Sequence, residues 1–186
     1  MYACESFKHN CAKFLLRKYP EAINQRDKFG MTCFLYACTK KRIKVVNYLI
    51  NRNPSVIYQK DNSGRTGFIC MCEENFKKFI KLIIFKFPYI IEQKDKEGRC
   101  GFMYACKKDN SRIVRILIKK YKYSINKKDR YGNTGFLLAC KENSKKVVEF
   151  LITKYPNIIN QKNYYLKNGI QLALENKNKE DVEWLI

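Results

Sequence analysis

Few residues in this chain have the types and spacing that catalysis requires. The only histidine, His9, is followed two residues later by Cys11. Side chains two positions apart on a helix point to different faces, so this pair does not suit a Cys–His nucleophile. Cys70 and Cys72 flank Met71, but no second cysteine pair stands at zinc-ligand spacing. The sequence therefore predicts no catalytic residue and no metal site.

The glycines give no sign of a nucleotide cofactor either. Gly64 and Gly67, like Gly132 and Gly135, fit a turn followed by the start of a helix, and they do not form a Gly-rich phosphate loop. We therefore predict that the protein is not an enzyme and needs no cofactor.

The elements that hold the side chains recur at intervals of 34 residues. Asp129 is preceded at this interval by Asp95, Asp61 and Asp27, and glycine and phenylalanine residues recur with them. A fixed period of about 20 to 50 residues is typical of stacked repeats, in which each repeat buries its apolar face against its neighbours. We expect stability to increase with the number of repeats, because one repeat alone cannot offset its ordering entropy.

Each repeat begins with a turn and a first helix. The segment Asp61–Gly64 predicts a tight turn, because aspartate accepts hydrogen bonds from nearby backbone amides and glycine adopts a positive φ without steric cost. Two residues after the glycine, Thr32, Thr66 or Thr134 is positioned to cap the first helix, with Cys100 as the exception. Phe, Ala and Cys then share one face of that helix.

A second helix follows a residue that tolerates left-handed backbone, which is Asn75, Asp109 or Asn143. Its apolar face is expected to supply most of the core. The residues of that face are Val45, Val46, Leu49 and Ile50; Phe79, Ile80, Ile83 and Ile84; Ile113, Val114, Leu117 and Ile118; and Val147, Val148, Leu151 and Ile152.

The return to the next repeat follows the second helix. All four prolines of the chain stand at one offset there, where proline cannot continue a helix: Pro20, Pro54, Pro88 and Pro156. Isoleucines three residues later are expected to anchor an extended link to the next turn: Ile23, Ile57, Ile91, Ile125 and Ile159.

The charge of the chain allows two interpretations. Its 38 Lys and Arg residues against 17 Asp and Glu residues give a net charge of +21. Such a balance can indicate a partner that is a nucleic acid or another polyanion. However, 29 of the basic residues are lysines, which A/T-rich coding also favours, and charged runs are usually solvated faces. Basic residues are predicted on several sides of each repeat, so the sequence leaves both interpretations open.

Cysteine usage indicates an intracellular protein. Five of the nine cysteines share one repeat position, which predicts a packing column: Cys4, Cys38, Cys72, Cys106 and Cys140. Neighbouring repeats lie about 10 Å apart, beyond the Cα separation of about 7 Å that a disulfide allows. Free thiols in a reducing compartment, the cytoplasm or nucleus, are therefore expected. The sequence also contains no apolar run long enough to span a membrane and no secretory signal pattern.

The recurring Asp-x-x-Gly-x-Thr, followed by an apolar residue, an alanine and two helices, resembles the ankyrin repeat, whose core reads T-P-L-H-x-A. The resemblance covers essentially the whole chain. It implies an all-α fold, an ankyrin-repeat solenoid of stacked helix-turn-helix repeats with short turn or hairpin fingers. We predict one domain over residues 1–186, with a partial repeat at 1–26, repeats at 27–60, 61–94, 95–128 and 129–162, and a degenerate partial repeat at 163–186.

The motif departs from the family in a consistent way. Its histidine is replaced by an apolar residue: Leu35, Ile69, Met103 or Leu137. The Thr–His hydrogen bond that the family implies is therefore lost, and we expect less rigid helix starts. The Lys-, Asn- and Ile-rich style is similar to ankyrin proteins encoded by giant DNA viruses, which would place the protein in the host cytoplasm.

In the ankyrin family, partners usually bind the concave side, formed by the turn tips and the exposed face of the first helix. The resemblance implies a partner-binding surface at the matching positions, which are Lys28, Phe29, Met31, Lys40, Asn62, Arg65, Glu74, Lys96, Arg99, Lys107, Lys108, Arg130, Tyr131, Asn133 and Lys141. Exposed aromatics often dominate interface energetics, so Phe29, Tyr131, Tyr164 and Tyr165 are the expected anchors.

Three functions remain in view from the sequence. The leading one is a monomeric, non-catalytic scaffold that binds one unidentified protein through its concave face, with no membrane involvement. The first alternative is a basic surface that binds nucleic acid or another polyanion. The second is the substrate-recognition part of a ubiquitin-ligase adaptor.

Overall fold

The computed structural model describes residues 9–175, and the regular secondary structure of these residues is helical apart from isolated bridges such as the one between Lys60 and Thr66. The α-helices are α1 His9–Lys18, α2 Cys33–Thr39, α3 Ile43–Arg52, α4 Gly67–Glu73, α5 Lys77–Lys86, α6 Gly101–Lys107, α7 Ser111–Lys120, α8 Gly135–Lys141, α9 Lys145–Lys154 and α10 Gly169–Glu175. Short 3-10 helices occupy Pro20–Asn24, Pro54–Tyr58, Pro88–Glu92, Lys122–Asn126 and Pro156–Asn160. Across the described range, no helix combines the length and apolarity needed to cross a membrane.

The chain divides into two compact units, Met1–Lys96 and Glu97–Ile186, called here the N-terminal and C-terminal units. In the N-terminal unit, α2 packs on α4, and α1 packs on α3. In the C-terminal unit, α8 packs between α6 and α10, and α7 packs beside α9. The first helices of successive repeats thus form an inner row within each unit, and the second helices form an outer row. The single domain predicted over residues 1–186 stays a prediction, and Cys4 and the outer parts of both partial repeats lie outside the described residues.

The predicted threonine caps are present at three helix starts. The Oγ1 atoms of Thr32, Thr66 and Thr134 accept hydrogen bonds from the backbone N–H three residues on, at 3.4, 3.4 and 3.3 Å. These bonds satisfy one of the amide groups that a helix N-terminus leaves without a partner. Cys100, at the same position of α6, supplies no capping oxygen.

A glutamine gives two of these threonines, Thr32 and Thr134, the side-chain partner that the missing histidine would have supplied. The Thr32 hydroxyl donates to Gln59 Oε1 at 2.6 Å. Gln59 Nε2 in turn donates to Ile23 O at 3.3 Å and to Asn24 Oδ1 at 3.0 Å, both in the preceding repeat. The threonine hydroxyl thus acts as both donor and acceptor, so the loss of the histidine does not leave it without a side-chain partner in this repeat; less rigid helix starts stay a prediction.

The same bond recurs in the C-terminal unit. The Thr134 hydroxyl donates to Gln161 Oε1 at 2.5 Å, and Gln161 Nε2 donates to Asn126 Oδ1 at 3.2 Å. Of the two repeats between them, the one at 95–128 has Cys100 in place of the threonine and Lys127 in place of the glutamine. Both members of the pair are therefore replaced in the same repeat.

The outer helices supply the core as predicted. Every residue of the apolar faces proposed from the sequence is buried in α3, α5, α7 and α9, except Ile152, which is half-buried. Burial of each such side chain contributes about 1.5–3 kcal/mol relative to exposure.

Consecutive inner helices pack a phenylalanine of one repeat against a glycine of the next. A Cβ atom added to Gly67 would lie 2.4 Å from Phe34 Cε1. In the C-terminal unit, a Cβ atom on Gly135 would lie 2.5 Å from Phe102 Cε1 and 2.9 Å from Cys106 Sγ. Atoms do not approach so closely in real packing, so glycine is required at these sites while the ring keeps its position.

The return segments differ from the prediction of an extended link. They are 3-10 turns, since the proline that opens each of four segments has its φ already fixed near the helical value. Of the predicted anchors, Ile23, Ile57 and Ile91 are buried. In the last segment the anchor lies one residue earlier, because Ile158 is buried, whereas Ile159 is 40% exposed.

The turn between the two helices of each repeat has left-handed backbone, as predicted for Asn75, Asp109 and Asn143. Lys41 occupies the same position in the first complete repeat with φ of 57°. Leu166 is a different case, because its φ of 61° falls where the other turns have glycine. A bulky L-residue in this region is strained by about 1–2 kcal/mol.

Replacement of Leu166 by glycine should stabilise the protein. The side chain is 74% exposed, so little packing is lost, and relief of backbone strain should exceed the entropy cost of glycine by about 0.5–1 kcal/mol. Urea denaturation measures the difference. L166A is the matched control, because it keeps Cβ and therefore the strain. Equal stability of the glycine and alanine variants would contradict the assignment of strain.

The contact between Gly135 and Phe102 should appear as an energetic coupling. G135A should lower the free energy of unfolding by about 1–3 kcal/mol because the new methyl group displaces the ring. F102L removes the ring atoms that the methyl group would meet, so G135A should cost less in that background, with a coupling of at least about 0.5 kcal/mol. A double-mutant cycle in urea measures this coupling, and strictly additive losses would contradict the contact.

Candidate binding surface

A carboxylate at the start of each turn organises the tip of the repeat. Asp61 Oδ1 accepts hydrogen bonds from the amides of Ser63 and Arg65, both at 2.9 Å. The corresponding oxygens in the other turns make the same two bonds: Asp27 with Phe29 and Met31, Asp129 with Tyr131 and Asn133, and Asn163 with Tyr165 and Lys167. The side chains that follow are thereby fixed in direction.

Successive turns are joined by one backbone hydrogen bond. The amide after the Asp or Asn donates to the carbonyl group two residues after the aspartate of the preceding turn. In the N-terminal unit, the pairs are Asn62 to Phe29 at 3.0 Å and Lys96 to Ser63 at 2.9 Å. In the C-terminal unit, they are Arg130 to Glu97 at 2.9 Å and Tyr164 to Tyr131 at 3.1 Å. The turn tips of each unit therefore form a regular row.

The surface residues predicted for the N-terminal unit differ in exposure. Met31 is buried, and Arg65 and Glu74 are half-buried. The exposed members are Lys28, Phe29, Lys40, Asn62 and Lys96. Phe29 is 60% exposed, so the unit presents one of the expected aromatic anchors.

Acidic side chains hold the polar residues of this inner surface. Arg65 lies between Asp61 and Glu73, with its Nε 2.8 Å from Asp61 Oδ2 and its Nη1 3.1 Å from Glu73 Oε2. The Tyr36 hydroxyl donates to Asp27 Oδ2 at 2.6 Å and lowers the pKa of that carboxyl. Arg65 thus links the turn of its own repeat to the first helix of that repeat, in addition to lying on the predicted surface.

Five of the residues predicted for the C-terminal unit meet at one groove of about 400 Å³. They are Arg99, Lys107, Tyr131, Asn133 and Lys141. The other lining residues come from α8, α10 and the last turn: Leu138, Glu142, Asn163, Tyr165, Lys167, Leu172 and Glu175. This groove, called here the inner groove, lies along the first helices and turns of successive repeats, which is the side the sequence predicted.

A buried carboxylate supports the floor of the inner groove. Asp129 is 3% exposed, and its Oδ2 lies 3.2 Å from Arg99 Nε and 3.4 Å from Asn133 Nδ2. Asn133 Oδ1 also accepts a hydrogen bond from Asn163 Nδ2 at 3.0 Å. Arg99 and Asn133 therefore position the turns, and their side chains are only partly available to a partner.

Charges in the inner groove are largely paired. Lys107 Nζ lies 3.3 Å from Glu142 Oε1, and Lys167 Nζ lies 2.5 Å from Glu175 Oε1. At the rim, a hydrogen bond from the Tyr131 hydroxyl to Glu97 raises the pKa of the tyrosine. The groove thus combines paired charges with tyrosine rings.

The family of the chain can now be stated. A family model described as "Ankyrin repeats (3 copies)" matches residues 1–95, 68–163 and 102–186. The chain belongs to the ankyrin-repeat family. Ankyrin repeats generally serve as protein–protein interaction modules, and proteins built from them are typically non-catalytic. No curated protein matches the chain.

Two predicted residues of this ankyrin-repeat surface lie apart from the inner groove. Arg130 is exposed, with its Nη1 3.3 Å from Glu97 Oε1, and Lys108 is exposed at the end of α6. Neither side chain lines the inner groove, although Arg130 directly follows Asp129, whose carboxylate supports the floor of that groove.

Several groove residues were not predicted from the ankyrin motif. Leu138 and Leu172 have at most 5% of their surface exposed, and both line the groove. Lys167 and Glu175 come from the degenerate last repeat, in which Asn163 replaces aspartate. The 34-residue register could have identified Lys167, because this residue aligns with Asn133, which was predicted to lie on the surface.

The cysteines of the ankyrin repeats do not add a reactive site. Of the cysteines that the structure describes, Cys11 is exposed and the other seven are buried, and all are free thiols. Burial raises the pKa of Cys70 to about 11 and that of Cys140 to about 12, so these thiols stay protonated. Among residues 9–175, no group of His, Cys, Asp and Glu side chains is arranged to hold a metal ion.

Variants of Asp129 should separate the two roles of its carboxylate. D129N keeps the oxygen that the turn amides require, as Asn163 does, and loses the ion pair with Arg99, which should cost about 1 kcal/mol. D129A also leaves the buried amides without an acceptor and should cost about 2–4 kcal/mol. Urea denaturation of both variants tests this ranking. Equal losses would show that the turn oxygen is not what holds the groove.

Proposed function

We propose that this ankyrin-repeat protein is a non-catalytic scaffold that binds a partner protein through the inner groove of its C-terminal unit. The observation that carries the proposal is the convergence of five residues of the predicted surface on one groove. They come from positions that ankyrin repeats leave variable while the core stays constant. Their side chains are held in direction by the turns and by the paired charges described above.

The chemistry of the inner groove favours a protein segment as its occupant. Leu138 and Leu172 provide a small apolar floor, and Tyr131 and Tyr165 are 37% and 65% exposed at its rim. Tyrosine gives a large contact area at a low entropy cost and is enriched at interface hot spots. Because most groove cations already have acidic partners, the proposed occupant carries an apolar side chain and polar groups of mixed charge.

Three further expectations accompany this proposal. The seven buried free thiols support a reducing intracellular compartment, the cytoplasm or the nucleus. The exposed predicted residues of the N-terminal unit, with Phe29 as their aromatic anchor, are proposed as a binding surface of that unit by itself. We also infer that the protein binds as a monomer.

Substitution of the groove residues that do not hold the turns tests the proposal. The triple variant K107A/Y131A/K141A avoids Arg99 and Asn133, so its melting temperature should stay within a few degrees of the wild type. Proteins captured from cell extract by the wild type are identified by mass spectrometry, and each candidate is purified. The variant should then bind the true partner at least about tenfold more weakly by calorimetry, a loss of about 1.4 kcal/mol.

A matched control removes the same residue types elsewhere. K81A/K86A/Y89A replaces two exposed lysines and an exposed tyrosine on the outer side of the N-terminal unit. It should retain full affinity for the partner. A partner that binds the groove variant as tightly as the wild type, or loses equal affinity to both variants, would contradict the proposed surface.

A further inference from the structure

The outer helices of the C-terminal unit carry almost only positive charge. Helices α7 and α9 lie side by side and contain seven Lys or Arg residues, against one acidic residue, Glu149. The basic residues are Arg112, Arg115, Lys119, Lys120, Lys145, Lys146 and Lys154.

Cations of the outer helices differ from those of the inner groove in their ion pairing. Arg99, Lys107 and Lys167 all face a carboxylate within 3.3 Å. Among the described residues, no ion pair engages Arg115, Lys146 or Lys154. These three cations therefore remain available for an anionic partner.

A groove of about 700 Å³ lies between α7 and α9. This outer groove is lined by Ser111, Arg115, Lys146, Glu149, Phe150, Thr153 and Lys154. The guanidinium carbon of Arg115 lies 3.8 Å from the centroid of the Phe150 ring, and Lys154 Nζ lies 5.8 Å from the same centroid. The ring holds the guanidinium in place by a cation–π contact, so the arginine is preorganised rather than freely mobile.

We propose that the outer groove binds single-stranded nucleic acid, with phosphates at Arg115, Lys146 and Lys154 and a base stacked on the Arg115 guanidinium. Such binding sites combine a positive channel for the backbone with planar groups on which bases stack. An arginine plane serves this purpose as well as an aromatic ring. The volume of the groove is that of a small-ligand site, which suits one or two nucleotides rather than a duplex.

Two other anionic partners fit the outer groove less well. An anionic membrane surface would be expected to bind apolar side chains that protrude between the cations. Neither α7 nor α9 exposes a large hydrophobic residue, and Phe150 is half-buried beneath Arg115. An acidic protein would need apolar anchor pockets for strong binding, whereas the ring that could form one is already covered.

Fluorescence anisotropy with a labelled oligouridylate of about 15 nucleotides tests the proposal on the full chain. Neutralisation of three phosphates predicts a slope of about −2 in log K against log salt concentration. R115E/K146E/K154E should bind at least about tenfold more weakly, with a slope that is shallower by about 2. R115K keeps the charge but loses the planar face, so its affinity should fall about fivefold while the salt slope stays unchanged.

A control variant has the same change in net charge at three positions that do not line the outer groove. K94E/K128E/K162E reverses three exposed lysines that precede the turns and do not line the outer groove. It should lose less than about threefold, because none of the three lysines lines the outer groove in which the phosphates are proposed to bind. Circular dichroism verifies that every variant is folded, since all substituted side chains are exposed.

Several results would overturn the proposal. Absence of oligouridylate binding at about 50 mM salt would do so, as would equal losses in both charge-reversal variants. Tighter binding of a DNA or RNA duplex than of the single strand would replace the stacking site by a general phosphate surface. Displacement of the oligouridylate by polyglutamate at equal charge would assign the groove to acidic protein. Sedimentation with phosphatidylserine vesicles that depends on Arg115 would assign it to a membrane.

Discussion

The spacing of the repeats rests on the contact between a phenylalanine of one repeat and a glycine of the next. In both units, the ring occupies space that a methyl group would fill, at Phe34 against Gly67 and at Phe102 against Gly135. The inner helices can therefore approach until their backbones nearly touch the neighbouring side chain. This fixes the spacing of successive repeats, and with it the distance between turns that allows one backbone hydrogen bond per step. Both candidate surfaces depend on that spacing, since each is built from side chains of consecutive repeats.

The two surfaces of the C-terminal unit are electrostatically different although the same repeats build them. On the inner side, short helices and turns bring acidic and basic residues together, so that Arg99 faces Asp129 and Lys107 faces Glu142. On the outer side, α7 and α9 contain one carboxylate among seven cations. The inner side therefore pairs most of its cations, whereas the outer groove contains three cations and a single carboxylate, Glu149. A protein partner within the inner groove and a nucleic acid within the outer groove would therefore not compete for the same residues.

Much of the fold could be predicted from the 34-residue recurrence, because stacked repeats place the same residue types at the same positions of each copy. The burial of the outer-helix faces, the threonine caps and the left-handed turn residues were all predicted from this recurrence. Predictions failed where one residue could satisfy two geometries. Proline fits both an extended exit and a 3-10 turn, so the return segments were misassigned. The candidate surface was harder to predict, because a position in the repeat does not reveal whether Asn133 reaches solvent or is held by Asp129.

The threonine and glutamine that hold each other across a repeat have a consequence for engineering. Thr134 and Gln161 are 27 positions apart, and Gln161 also binds the preceding repeat through Asn126. Where Cys100 replaces the threonine, Lys127 replaces the glutamine. The residues at these two positions therefore depend on each other. A chimaera assembled from repeats of this chain should exchange both residues together, and its junctions should lie outside the interval between them. A junction inside that interval can pair the threonine with a lysine, whose ammonium group has no acceptor, so the hydroxyl of the capping threonine would lose the oxygen to which it donates.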